Sequence, residues 1–316
     1  MNIFLLIIGL ATLIVGGDFL VKGAVGIARK FKVSTLVIGM TVVSFGTSAP
    51  ELIVSIKAAL DGNPEIAIGN VIGSNIANIA LVLAVTIMIF PIAVDRNSKI
   101  IDWPMMMFSS LIFYFFALNN ELEFYEGVIM FVILLIFIGF LVYNSRKASK
   151  KVEAAIETEG VEVIENTHFT YSLLYILGGL IALYFGAEWL LDGAVGLAEN
   201  LGMEKRVIGI TIVAFGTSVP ELVTSAVAAF RKQTDISIGN LVGSNIFNIM
   251  AVIGITSMVK EIDINDVALQ FDMIWMLGIA VILLPLMLFG KKMGWTKGIL
   301  LLGAYVTYIV ILLLSV

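Results

Sequence analysis

The chain has 316 residues, of which 59% are hydrophobic and 14% are charged, with a mean hydropathy of +1.04 and a formal net charge of -5. A soluble domain needs far less apolar surface, so the composition predicts an integral membrane protein. The chain has no cysteine and a single histidine, His168, which excludes disulfides and thiolate metal sites and leaves few ligands for zinc. The modest net charge does not indicate a nucleic-acid partner.

Apolar stretches long enough to cross about 30 Å of hydrocarbon recur along the whole chain. The first, from Asn2 to Val15, has no basic segment before it and no small-residue cleavage site after it, so we interpret it as a retained helix. The ten predicted spans lie near residues 3–26, 35–59, 66–91, 104–118, 124–144, 170–195, 206–230, 236–259, 272–290 and 297–315.

A polar linker at residues 145–169 separates a first five-helix unit, 1–144, from a second, 170–316. Lysine and arginine are unevenly distributed over the alternate loops, with 14 on the linker side and 4 on the other. Because basic loops remain in the cytoplasm, this bias predicts a cytoplasmic linker and external termini in a cell membrane. The acids of the linker lack the spacing of a Ca²⁺-binding loop, which favours a solvated linker.

The two units contain copies of one segment. Gly23–Ile79 aligns with Gly193–Ile249 without a gap, and we call this constant difference in residue number the repeat offset. The first copy, at about 37–79, contains VIGMTVVSFGTSAPELIVS and IAIGNVIGSNIANI, and the second, at about 207–249, contains VIGITIVAFGTSVPELVTS and ISIGNLVGSNIFNI. Five helices per copy is an odd number, so the second copy enters the membrane inverted. The predicted fold is an all-α membrane protein of ten transmembrane helices, built as two inverted five-helix repeats whose broken helices form a central cation site.

A polar stripe runs along the second helix of each copy at spacings of three and four residues, which places its members on one helical face. The stripes are Thr41, Ser44, Ser48, Glu51 and Ser55 in one copy, and Thr211, Ala214, Ser218, Glu221 and Ser225 in the other. An ionised glutamate in the bilayer costs several kcal/mol unless it is paired, and neither face carries a lysine or arginine. A mobile cation is therefore the expected partner. For Thr41, Ser55, Thr211 and Ser225, contact between helices and ion binding remain equally open.

Pro50 and Pro220 each remove an amide that would bond a carbonyl one turn earlier, at Gly46 and Gly216, which predicts a break in both helices. The groups around each break are oxygen donors, which suit Na⁺ and Ca²⁺ better than a soft metal. They comprise the two glutamates and the hydroxyls of Thr47, Ser48, Thr217 and Ser218.

The third helix of each copy is predicted to form the opposing wall of the site. Its polar residues are one turn apart, as Ser74 and Asn78 in one copy and Ser244 and Asn248 in the other. Small residues one turn apart allow helix backbones to approach closely in lipid. They are Gly69 and Gly73, and Gly239 and Gly243.

The blocks GTSAPE with GSNIANI, and GTSVPE with GSNIFNI, resemble the two alpha-repeats of the calcium/cation antiporter superfamily, prokaryotic sodium/calcium exchanger branch. The resemblance implies a secondary active antiporter rather than an enzyme, exchanging Na⁺ for Ca²⁺ by alternating access as the first and sixth helices slide across the core. It implies no cofactor beyond the transported ions, and a functional monomer in the bilayer. Glu51 and Glu221 are implied as the main carboxylate ligands. The other implied ligands are Thr47, Ser48, Thr217, Ser218, Ser74, Ser244, Asn78 and Asn248, with backbone oxygens near Ser44 and Ala214.

The coupling ions and the roles of two further membrane acids are less closely defined by the sequence. The potassium-dependent branch carries acids at the position of Asn248, so the asparagine argues against potassium co-transport. Two carboxylates give a formal charge of -2, which one Ca²⁺ neutralises and three Na⁺ exceed, so the family implies electrogenic exchange. Proton-coupled exchange and a cation channel are the alternatives, the second opposed by the inverted repeat. Asp18 has Lys22 four residues on, so it and its repeat equivalent Glu188 are either structural or gate-lining acids.

Overall fold

The computed structural model describes residues 2–159, 169–201, 214–290 and 292–315. The first half contains α1 (Asn2–Phe31), α2a (Thr35–Thr47), α2b (Ala49–Leu60), α3 (Pro64–Ile89), α4 (Ser98–Asn119) and α5 (Phe124–Glu159). The second half contains α6 (Phe169–Asn200), α7a (Ala214–Thr217), α7b (Val219–Phe230), α8 (Thr234–Val259), α9 (Ala268–Leu288) and α10 (Trp295–Ser315). Two short strands, β1 (Glu121–Leu122) and β2 (Ile262–Asp263), pair antiparallel.

The helices confirm a multi-span membrane protein. Within the described ranges, eight helices are long and apolar enough to cross a membrane, and α2a with α2b forms a ninth span bent by 42°. The predicted span at 206–230 lies partly outside the described residues, which include its α7a and α7b segments. The linker was predicted to begin at residue 145, and α5 continues through its first part to Glu159 because lysine, alanine and glutamate are good helix formers.

The duplication extends further in the structure than in the sequence. Helix α2b begins and ends one repeat offset before α7b, and α3 begins and ends one repeat offset before α8. Single wider turns of helix, π-helical in geometry, also recur at Asn78–Leu83 and Asn248–Ile253, and at Ser98–Asp102 and Ala268–Asp272. The last pair lies well past Ile79, where the two sequences no longer match closely. Backbone geometry therefore preserves the repeat where side chains have diverged.

Helices α1 and α6 pack along a seam of glycines. An added Cβ at Gly16 would lie 2.9 Å from Leu183 N, and one at Gly179 would lie 2.7 Å from Leu20 N. Gly9 faces Leu190 in the same way, so residue numbers rise on one helix as they fall on the other. The two helices are antiparallel and in backbone contact, which only glycine permits at these positions.

The predicted close packing of the third helix is confirmed for α8. An added Cβ at Gly239 would lie 2.6 Å from Leu36 O, and one at Gly243 would lie 2.7 Å from Met40 Cα, so α8 lies directly against α2a. An added Cβ at Gly69 or at Gly73 would have no neighbour within 4 Å in the described part of the chain. The positions equivalent by the repeat offset to Leu36 and Met40 fall within 206–213, outside the described residues.

Short backbone pairings tie the two halves together beyond the helices. Leu122 in the first half pairs with Ile262 in the second, and Ile92 in the first pairs with Met293 in the second. Ile92 and Ile262 are related by the repeat offset, whereas their partners differ from it by one residue, since the repeat equivalent of Met293 is Glu123 and not Leu122. These contacts hold the loops after α3 and α8 against the opposite half.

Candidate functional site

Helix breaks place both duplicated glutamates at the start of a helix. Ser48 (φ -87°, ψ 2°) and Ser218 (φ -89°, ψ 1°) leave the helical conformation identically, and a proline follows in the first turn of α2b and of α7b. Glu51 and Glu221 occupy the same first turns, where the partial positive charge of the helix favours a carboxylate. The break predicted from the prolines is confirmed.

Both glutamates are buried without a protein partner. Glu51 is 0% and Glu221 is 1% exposed, and none of their four carboxylate oxygens has a hydrogen-bond partner among the described residues. The two carboxylates are close enough to repel each other. The Glu221 carboxylate lies next to the hydroxyls of Thr47 and Ser48, although neither contact has hydrogen-bond geometry. Buried polar groups normally have hydrogen-bond partners, so two unpartnered carboxylates in the interior are suited to binding a cation.

Other buried oxygen atoms of the predicted ligands also lack a hydrogen-bond partner in the described part of the chain. They come from both copies, from the break residues and from the facing helices α3 and α8. Each is buried and has no hydrogen-bond partner within the described ranges: Ser48 Oγ, Ser218 Oγ, Ser74 Oγ, Asn78 Oδ1 and Asn248 Oδ1. Most of the predicted ligands therefore have free oxygen atoms in the interior.

Thr47 connects the two copies instead. Its hydroxyl donates to Asn240 Oδ1 at 3.1 Å and lies 3.4 Å from Ser244 Oγ. Asn240 in turn donates through Nδ2 to Ser225 Oγ at 3.0 Å. This chain of contacts joins α2a, α8 and α7b around the glutamates. Thr47 and Ser244, both predicted ligands, therefore lie together, and the same contacts position them.

Ser44 and Ala214 are the two positions where backbone oxygens are predicted ligands, and the structure describes the side chain of Ser44 only. Ser44 O accepts the Ser48 amide at 2.9 Å, and the Ser44 hydroxyl donates to the backbone, 2.8 Å from Gly39 O and 3.0 Å from Asn240 O. Ala214 begins α7a, and its side chain lies outside the described part. Thr217 ends α7a and is half-buried, whereas Thr47 is 1% exposed.

Four asparagines that the sequence analysis did not single out support the site. Asn70 donates to Ser55 Oγ at 3.0 Å, the repeat equivalent of the bond between Asn240 and Ser225. Asn75 Oδ1 accepts from Asn248 Nδ2 at 3.2 Å, and Asn245 donates to Leu241 O on its own helix. All four are identical in the two copies, which was the available signal. Ser55 and Ser225 are therefore interhelical contacts.

Other duplicated polar groups point elsewhere. Thr41 donates to Val37 O of its own helix at 2.7 Å, and Thr211 lies outside the described residues. Asp18 contacts Lys22 at 2.8 Å, as predicted, and also contacts Arg231.

The described residues contain no cluster of three or more acids, histidines or cysteines that could bind a metal. The site thus combines two carboxylates with neutral hydroxyl and amide oxygens, which is chemistry for hard cations such as Na⁺ and Ca²⁺.

Comparison with known proteins places this geometry in context. The family model described as "Sodium/calcium exchanger protein" matches residues 1–143 and 171–314. The chain is 35% identical over 311 residues to the putative antiporter CaxA of Alkalimonas amylolytica, covering 97% of both chains. It is 32% identical over 343 residues to the sodium/calcium exchanger MaX1 of Methanosarcina acetivorans, covering 98% of both.

A solved structure has the same fold. The sodium-calcium exchanger NCX_Mj, soaked with Na⁺ and Ca²⁺, superposes with a TM-score of 0.83 at 32% sequence identity. The match covers 98% of this chain and 97% of that chain. The similarity therefore includes both halves of the molecule and the helices that surround the buried glutamates.

Proposed function

We infer that this chain, which belongs to the sodium/calcium exchanger protein family, exchanges Na⁺ for Ca²⁺ across the cell membrane by alternating access. As a member of that family it is a membrane cation antiporter, a transporter rather than an enzyme. The observation that carries the proposal is the pair of duplicated glutamates, 0% and 1% exposed, with four unpartnered carboxylate oxygens among the described residues. The names of MaX1 and NCX_Mj support Na⁺ and Ca²⁺ as the exchanged pair.

Glu51 and Glu221 are the proposed principal ligands. Their carboxylates would repel each other without a cation between them, so ion binding and burial are coupled. The proposed neutral ligands are the oxygens of Thr47, Ser48, Thr217, Ser218, Ser74, Ser244, Asn78 and Asn248, with backbone oxygens near Ser44 and Ala214. A cage of charge -2 accepts one Ca²⁺ or several Na⁺, but not both at once, so the two ions compete for one site. Competition at an alternately exposed site is sufficient for antiport.

The proposed architecture is ten transmembrane helices in two inverted repeats, 1–144 and 170–316, joined by the linker at 145–169. Helix boundaries that recur at the repeat offset support the repeat, and the antiparallel contact of α1 with its copy α6 supports the inversion. The family model also matches two separate stretches with the linker between them. A single chain contains both copies, so we propose that the monomer transports.

The proposed orientation has the linker in the cytoplasm and both termini outside, from the 14 to 4 distribution of basic residues. With Asn248 neutral, K⁺ is not part of the proposed cycle. A permanently open cation channel is disfavoured because both glutamates are sealed inside the protein.

The test is Ca²⁺ uptake into Na⁺-loaded proteoliposomes, repeated with K⁺ replaced by choline and with an imposed pH step in place of the Na⁺ gradient. Glu51→Gln and Glu221→Gln should each reduce uptake at least about 100-fold, because each removes half of the charge that binds Ca²⁺. Glu65→Gln is the matched control, since Glu65 is an exposed acid in the first turn of α3.

Each outcome has a distinct meaning. Uptake that needs internal Na⁺, ignores K⁺ and is lost in both site variants supports the proposal. Uptake driven only by the pH step would replace it with proton-coupled exchange. Uptake unchanged in Glu51→Gln and Glu221→Gln, with the Glu65→Gln control also normal, would show that the ions bind elsewhere.

A further inference from the structure

Asp18 forms an ion pair that crosses from the α1–α6 pair to the core. Its Oδ2 contacts Lys22 Nζ at 2.8 Å within α1, whereas its Oδ1 contacts Arg231, the residue that follows α7b. The Asp18 side chain is 20% exposed and that of Arg231 is 48% exposed. The Lys22 contact stays within one helix, so only the Arg231 contact resists movement of α1 relative to α7b.

The ion pair lies where α1 covers α7b. An added Cβ at Gly17, next to Asp18, would lie 3.4 Å from Val223 Cγ1 and 3.6 Å from Thr224 Cα. Val223 is accordingly 9% exposed and Thr224 is 0% exposed. Asp18 and Arg231 therefore join two helices whose apolar surfaces are already in contact.

The equivalent face of the other copy is not covered. Ile53 and Val54, the repeat equivalents of Val223 and Thr224, are 60% and 38% exposed. Two copies of one segment would bury these positions equally if α1 and α6 sat symmetrically over the core. The structure is therefore closed at the Arg231 end and open at the equivalent end of α2b.

The two basic residues at the Arg231 end are replaced by acids at the other end, while the acid is kept. The repeat equivalents of Asp18, Lys22 and Arg231 are Glu188, Asp192 and Asp61. All three are exposed acids, and none of them forms an ion pair in the part of the chain that the structure describes. The nearby exposed Lys57 on α2b likewise has no ion pair there. Closing α6 over α2b would bring Glu188 toward Asp61, where acids outnumber the single base Lys57, whereas an acid meets a base at the other end.

We propose that the Asp18–Arg231 ion pair is an electrostatic latch that favours the conformation closed at the Arg231 end, while Glu188 and Asp61 oppose closure of the other end. Asp18 and Arg231 are thus positioning residues for transport, and they set the balance between the two access states. The proposal rests on the proposed function only in that the α1–α6 pair moves across the core. In the proposed orientation, the latched end faces the cytoplasm.

Disulfide cross-linking can measure both ends, because the chain has no native cysteine. The pair Gly17→Cys with Thr224→Cys reports closure at the latched end, where the contact distances leave room for a Cβ. Its repeat equivalent, Ala187→Cys with Val54→Cys, reports closure at the other end. Rates of copper-phenanthroline oxidation are measured in detergent at fixed Na⁺ without Ca²⁺, for each pair in each background.

Loss of the latch should redistribute the two states. In the Asp18→Asn and Arg231→Gln backgrounds, cross-linking of Ala187→Cys with Val54→Cys should become about two- to fivefold faster, and that of Gly17→Cys with Thr224→Cys correspondingly slower. The double variant should match Asp18→Asn alone, since both changes remove the same contact. Lys260→Gln, which removes an exposed charge elsewhere, should change neither rate.

A second variant builds the latch at the other end. Asp61→Arg provides the repeat equivalent of Arg231, so it should pair with Glu188 and accelerate cross-linking of Ala187→Cys with Val54→Cys. Adding Glu188→Gln should cancel that gain. Unchanged cross-linking in the Asp18→Asn, Arg231→Gln and Asp61→Arg backgrounds, or effects of the first two that add in the double variant, would overturn the proposal. Because this measurement needs no Ca²⁺ flux, altered cross-linking alongside failed Na⁺-driven uptake would retain the latch and reject only the exchange reaction.

Discussion

Helices α3 and α8 differ sharply from α1 and α6 in how much protein surrounds them. Of the apolar stretch that could span the membrane, 72% of α3 and 83% of α8 is buried inside the protein, against 28% of α1 and 22% of α6. The first pair contributes the asparagines and serines around the glutamates. Helices α1 and α6 contact each other along the glycine seam, and much of their remaining surface is exposed. The core helices are thus enclosed by protein on most sides, whereas the peripheral pair has the free surface that the proposed movement across the core requires.

Because of this difference in burial, two glycines with similarly close backbone contacts should respond differently to substitution by alanine. An added Cβ would lie 2.7 Å from Met40 Cα at Gly243 in the core, and 2.7 Å from Leu20 N at Gly179 in the α1–α6 seam. The backbone contacts alone would make the substitutions equivalent, although the added Cβ at Gly243 would also displace the Ser44 hydroxyl. Location decides whether the cost affects ion binding or movement.

Among substitutions that separate the core from the peripheral pair, Gly243→Ala has the largest expected effect. The added methyl group pushes α8 away from α2a, at a cost of about 1–3 kcal/mol, and displaces Ser244 and Thr47 from the cage. We expect Ca²⁺ affinity, measured by calorimetry in detergent, to fall at least about tenfold, and transport to fall with it. Gly179→Ala is the contrasting variant, for which transport should fall while Ca²⁺ affinity stays within about twofold. Loss of affinity in both variants would contradict the division into a fixed core and a moving pair.

A smaller effect is expected for Thr47→Val. The change leaves Asn240 Oδ1 without its donor inside the protein, which costs about 1–3 kcal/mol and loosens the contact between the copies. Transport should fall about tenfold, measured as the initial rate of Ca²⁺ uptake. Thr41→Val on the same helix is the control and should stay within about twofold, since its hydroxyl bonds Val37 O of its own helix. Equal losses would mean that helix stability, and not the contact between copies, limits transport.

The smallest expected effect distinguishes two repeat-equivalent serines. Ser225→Ala removes the acceptor for Asn240 Nδ2, and Asn240 also positions Thr47. Ser55→Ala removes the acceptor for Asn70, but Asn70 still reaches Glu51 O at 3.3 Å. Ser225→Ala should therefore lower the rate of Ca²⁺ uptake about two- to fivefold more than Ser55→Ala does. The reverse order would show that the α3 side of the core is the more sensitive one.

Several features of the molecule could be read from local sequence because local physics determines them. Pro50 and Pro220 each remove one helix hydrogen bond, and that is enough to fix a break at Ser48 and Ser218. The spacing of Gly239 and Gly243 similarly predicts a close helix contact, which the structure confirms. The supporting asparagines were not identified, because an amide side chain in a helix has the same local signature whether it binds an ion, bonds a neighbour or faces solvent.

The membrane environment, the duplication, the helix breaks and the paired glutamates follow from the amino-acid sequence, since each depends on composition, spacing or the chemistry of proline. The bond from Thr47 to Asn240 of the other copy and the contact of Asp18 with Arg231 come from the packing of the helices. The same packing makes α1 cover α7b while the equivalent face of α2b stays uncovered. These contacts join residues far apart in the chain, so they depend on how the helices of the two copies pack and not on any local preference of the chain.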